Sequence, residues 1–164
     1  MPNDLIDQLA AMPKRLAHLV VEVADEALDE AAPDAWSART ILAHFRDDEY
    51  LCMRVALERM LAEENPLLHF LDGATWEPGR NRTRDRREVI TSDFALQRQA
   101  SIGILNGLRP EDWSRTGRTE DGRTFTVEQF VAAWAGHDAE HQAQLERVLG
   151  VTYADVFKRR MRRE

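Results

Sequence analysis

TVEQFVAAWAGHDAEHQAQLERVL, residues Thr126 to Leu149, is the stretch that decides the fold. Val127, Phe130, Val131, Trp134, Leu145 and Val148 recur at steps of three and four, the spacing that aligns side chains along one face of an α-helix. His137 and His141 continue the series, so a face expected to bury hydrocarbon carries two imidazoles. Thr126 and Gln129 stand in the T-x-x-Q relation of a capping box, and Gly150 falls where a C′ glycine ends a helix. A helix over 126–149 is therefore predicted from its two ends as well as its periodicity.

Imidazoles one turn apart, with about 6 Å between their Cβ atoms, can aim nitrogens at one small ion. An open metal site needs three protein ligands and a position for water or substrate, so a third donor must come from another element. The chain has three further histidines, His18, His44 and His69. His44 is the best placed, because Ile41 to Ala56 reads as a second amphipathic helix with Ile41, Phe45, Cys52 and Val55 on its apolar side, and His44 and Asp48 fall on that side too. A histidine and a carboxylate one turn apart in an apolar stripe are costly unless something pairs with them, and a shared metal would do so. The alternative is that the inward histidines form a buried hydrogen-bond network that binds nothing. His18 lies off its helix stripe and His69 lies in a loop, and neither is expected to be a ligand.

With 164 residues the chain is long enough for a sizeable core and is expected to form one domain over 1–164. Its single cysteine, Cys52, excludes an internal disulfide. The opening MPNDLIDQLA does not read as a signal peptide and no apolar run approaches the ~18 residues of a membrane span, so a soluble, cytoplasmic protein without membrane association is expected. A net charge of -7 and a pI near 5.3 argue against general binding to nucleic acid. The basic runs Arg80 to Arg87 and Lys158 to Arg163 read as a solvated loop and a terminal helix.

Leu5, Leu9, Met12, Leu16, Leu19, Val23 and Ala27 predict a long first helix over residues 4–31, with Pro13 inside it as a kink or the end of a short opening turn. Ser37 is the expected N-cap of the second helix, 38–62, with Trp36 packed at its entry. Residues 63–83 form a long connection whose Leu67, Leu68, Phe70 and Leu71 can either cap the bundle or line a pocket. A third helix over 84–108 carries Gln97 and Ser101 within its apolar stripe, facing the histidine cavity or each other. Glu120-Asp121-Gly122 marks a turn between short segments that could pair as a small hairpin, an extended excursion without a stable sheet, and Thr152 to Arg163 forms a short last helix. The fold class is all-α, a four-helix bundle of up-and-down or crossover connectivity, with sites built from inward side chains of facing helices.

Trp36-Ser37 followed by ILAHFRDDEY, and AGHDAEHQAQL near the C-terminus, together resemble the DinB-like superfamily, which takes in YfiT-type metal hydrolases and thiol-dependent S-transferases. The resemblance spans nearly the whole chain. It implies a four-helix bundle holding a divalent metal, nickel or zinc first, iron or manganese also, on three histidines that correspond to His44, His137 and His141. It also implies a homodimer in many members and, in some, a low-molecular-weight thiol cosubstrate. The expected function is a metal-dependent enzyme that activates such a thiol for transfer, or a water for hydrolysis, against a small-molecule substrate. Asp48 is the candidate base or His44-orienting group, and Asp138 and Gln144 are candidates to orient ligands or touch substrate. A non-catalytic metal-binding or stress-response module is the alternative.

Overall fold

The computed structural model describes residues 2–76 and 85–163. Residues 77–83 of the long connection and Arg80 to Arg84 of the first basic run lie outside the described residues.

The elements in chain order are α1 (Pro2–Val20), α2 (Ala38–Asp48), a π-helical turn (Glu49–Met53), α3 (Arg54–Ala62), the short α4 (Gly73–Trp76), α5 (Arg87–Asn106), β1 (Thr116–Arg118), β2 (Thr124–Thr126), α6 (Val127–Leu149) and α7 (Tyr153–Met161). The bundle comprises α1, the α2–α3 rod, α5 and α6. Helices α1 and α2 each pack on both α5 and α6, so α1 lies diagonally across the bundle from α2, and α5 from α6. Of the two expected connectivities this is the crossover one, and it makes α2 and α6 neighbours.

Helix ends follow their sequence signals. Ser37 caps α2 by accepting the Thr40 N–H at 3.2 Å. At α6 the Gln129 N–H donates to Thr126 Oγ1 at 3.1 Å and the Thr126 N–H to Gln129 Oε1 at 2.9 Å, while Gly150 takes the left-handed conformation, φ 66°, that ends the helix.

Three expectations need correction. The first helix stops at Val20, not 31. Carboxylates are unfavourable at a helix C-terminus, and Asp25 and Asp29 instead hold the buried guanidinium of Arg39, with Asp29 accepting from Nε at 2.8 Å and from Nη2 at 3.0 Å. The second helix is interrupted by its π turn, which advances the register by one residue. Val55 is therefore 43% exposed, whereas Glu49, Met53, Leu57 and Met60 face inward. The third helix spans 87–106. Its Ser101 is buried and donates to the Gln97 carbonyl, and neither residue lines the histidine cavity.

The excursion does pair. Thr116–Arg118 and Thr124–Thr126 form an antiparallel hairpin, anchored where Leu68 N–H donates to Arg118 O at 2.8 Å and Arg118 N–H to Pro66 O at 2.9 Å. Gly117 packs closely there, since a Cβ would lie 2.7 Å from Leu68 Cδ1 and 3.1 Å from Met60 Cγ and would have to displace those side chains.

The core is in two apolar parts. One gathers Leu9, Met53, Leu57, Met60, Leu105, Phe130 and Trp134; the other gathers Met12, Leu16, Ile41, Leu42, Phe45, Phe94 and Leu145. Along every rod of the bundle the boundary between them is polar. It carries Asp48 and Glu49, Arg98 and Ser101, and Asp138, all of them buried. In α1 the boundary is a backbone group. Pro13 has no N–H to offer the carbonyl of Leu9, and Arg98 Nη1 donates to that carbonyl instead at 2.8 Å.

Candidate metal centre

Helix α2 presents His44, which is buried, and α6 presents His137 and His141, both half-buried. Because α2 packs on α6, one nitrogen from each imidazole lies within 4.8 Å of the others. His44 Nε2 and His137 Nε2 are 3.0 Å apart. Nitrogens sharing a tetrahedral ion at about 2.0–2.1 Å are separated by little more than this, and the three donors are chemically alike and borderline-soft, so the set fits a zinc- or nickel-type ion. Among the described residues this is the group of side chains that meets such a criterion.

The surroundings fix the rings. His141 Nδ1 lies 2.7 Å from Gln144 Oε1, which as an acceptor requires the proton on Nδ1 and frees Nε2. Trp36 stacks on His141, with ring centres 5.9 Å apart and planes at 6°, and meets His44 edge-on at 5.1 Å. Burial, then the neighbouring His137, holds the His141 pKa below its ordinary value and keeps the ring neutral, as a ligand must be. His137 Nε2 is 3.3 Å from Asp48 Oδ2, and its Nδ1 is 3.5 Å from Asp138 Oδ1.

Asp138 is held from behind by a neighbour that the sequence did not reveal, Arg98. Its Nη1 donates to Asp138 Oδ2 at 2.6 Å, while Nε and Nη2 grip both oxygens of Glu49 at 2.9 and 2.8 Å. Burial opposes the charge of Arg98, but Asp138 and Glu49 outweigh it and hold the guanidinium above its ordinary range. Its detectable trace in the sequence was indirect: a proline within α1 that had to leave a carbonyl needing a donor.

A pocket of about 570 Å³ opens onto the three histidines and Asp48, walled by Trp36, Met53, Phe70, Leu71, Glu140 and Gln144. The long connection thus lines the pocket. Gly73 lets it approach, since a Cβ there would stand 3.0 Å from His44 Cε1 and 3.3 Å from Trp36 Cη2. His18 and His69 are elsewhere, the first stacked with Tyr153 and the second 2.9 Å from Glu120 at the surface. Burial pushes the Cys52 thiol up to about 12, so it is protonated at neutral pH and supplies no thiolate.

Fold and site together define the class: four-helix-bundle proteins with a three-histidine centre on facing helices. The model of the DinB superfamily matches residues 8–145, and the chain belongs to that superfamily. It is 22% identical over 144 residues to a protein of Oceanobacillus iheyensis, covering 87% of this chain and 83% of that one, and 24% identical over 160 residues to one of Halalkalibacterium halodurans, covering 88% and 84%. Both relatives bear the name "Putative metal-dependent hydrolase". The solved structure of YfiT from Bacillus subtilis, described as a probable metal-dependent hydrolase with an unusual four-helix bundle topology, matches with a TM-score of 0.81 at 18% identity over 92% of this chain and 89% of that one. That likeness speaks to fold.

Proposed function

We propose that the protein is a metal-dependent hydrolase of a small molecule, in which His44, His137 and His141 hold a divalent ion, Asp48 is the general base and residues 1–164 act as one domain. The observation that carries this is the carboxylate beside the three imidazoles: Asp48 Oδ2 lies 3.3 Å from His137 Nε2 on the floor of an open pocket.

A divalent ion here supplies Lewis acidity, lowering the pKa of a water or thiol and polarising a substrate oxygen. Imidazole donors suit nickel and zinc, and accept iron and manganese. Asp48 takes the proton that an attacking water gives up. Gln144 fixes the His141 tautomer, Arg98 steadies Asp138 beside His137, and Trp36 shields the rings from bulk water. Three histidines leave room for a further partner on the pocket side, which favours turnover over a closed binding module.

A low-molecular-weight thiol in place of water would make the protein an S-transferase. Asp48 can accept the proton of either nucleophile; what supports water is that both relatives bear a hydrolase name. The test compares zinc-reconstituted wild type, Asp48→Asn and His137→Ala on ester, amide and phosphoester panels, with and without added thiol. Asp48→Asn is expected to keep its zinc and lose about 10²–10⁴-fold in kcat. Undiminished turnover in that variant, or turnover only when thiol is added, would contradict the hydrolase reading.

A further inference from the structure

Beside the metal pocket lies a second cavity of about 330 Å³ that the chemistry above does not use. The two share Met53 and Phe70 as a common wall. The floor of the second is aromatic: Phe130 sits 5.8 Å from Trp134, 6.1 Å from Phe125 and 6.1 Å from Phe70, measured between ring centres. Thr119, Gln129 and Arg123 contribute polarity, and Arg123 is tied to Asp121 at 2.8 Å.

The geometry points to this cavity as the apolar subsite of the metal centre. It receives an aromatic or branched aliphatic group carried by the same small molecule whose polar end lies at the histidines. The inference rests on the hydrolase reading and adds the substrate class: a compound with a bulky apolar group on one side of the bond cleaved. Continuity carries it. Ala133 of the second cavity and His137 of the first are four residues apart on α6, about 6 Å of helix rise, so one modest molecule spans both. Phe70, 42% exposed, stands at the junction where such a molecule would cover it. Aromatic walls with a few polar groups at the edge are what a remote binding group needs, and binding there can be spent on placing the reacting bond.

The experiment uses the full-length, zinc-loaded protein and two chelating probes, acetohydroxamate and 2-naphthylacetohydroxamate, titrated calorimetrically. Both bind through the hydroxamate, and the naphthyl group is expected to tighten binding about 30-fold in the wild type. Ala133→Phe, at an exposed position, fills the cavity and should reduce that ratio to about 3-fold while leaving acetohydroxamate affinity unchanged. Phe125→Ala, which removes a wall, should weaken only the naphthyl probe. Equal affinities of the two probes for the wild type, or a ratio unmoved by Ala133→Phe, would overturn the subsite while leaving the metal centre intact. Failure of acetohydroxamate itself to bind the zinc-loaded protein would overturn the open-site hydrolase reading, and the subsite with it.

Discussion

Gly73 packs directly against the histidine cluster, whereas Arg98 reaches it through Asp138. A methyl at Gly73 would meet His44 Cε1 at 3.0 Å, so Gly73→Ala must move either the imidazole or the loop above it. The expected result is a metal affinity at least about 10-fold weaker, in the range seen when groups that orient ligands are lost, with little change in the metal-free melting temperature; competition against a chromophoric chelator measures it. Arg98→Met removes the cation between two buried carboxylates and should cost about 3–5 kcal/mol in denaturant unfolding. Burial already pushes the Glu49 carboxyl above its ordinary value. A folded state that binds a proton more tightly than the unfolded chain gains stability as pH falls, so the variant should recover toward acid pH. The juxtaposition of His44, His137 and His141 was legible because helical spacing put all three on inward faces. Arg98 was not, because a charged residue between Gln97 and Ser101 gives no hint of burial until its partners, Glu49 and a proline-vacated carbonyl, are placed in space.

The α2–α3 rod shows how far periodicity carries and where it stops. Caps and period located its ends, as they did for α6. The π turn at Glu49–Met53 left no mark in composition, and an uninterrupted 3.6-residue phase wrongly turned Val55 inward. The register makes a sharp contrast between neighbours. Val55→Lys should change stability by no more than about 0.5 kcal/mol, whereas Met53→Lys places an ammonium at a position 8% exposed and should cost several times that, both read from urea midpoints. The first helix was overextended for a different reason. Val23 and Ala27 keep the apolar period, but the acidic residues among them are needed 10 to 14 positions later by Arg39, a demand that local pattern does not display.

At the scale of the whole molecule, the crossover arrangement brings α2 against α6 and the polar boundary between two apolar cores to one level of the bundle. An ion at that level would tie together two helices remote in sequence. If it is present at about a thousand times its dissociation constant, it adds about 4 kcal/mol to folding, which for a chain of this size raises the melting temperature by about 10 °C. Scanning calorimetry of chelator-treated and reloaded protein should show that difference, and His44→Ala should abolish it. The most direct test of the metal centre is elemental analysis of tag-free wild type beside His141→Ala, both purified without added metal and then reconstituted with zinc, nickel, iron or manganese. Near-stoichiometric metal in the wild type and its loss in the variant is the predicted result. A wild type that stays empty after reconstitution, and is as stable as the variant, would contradict it.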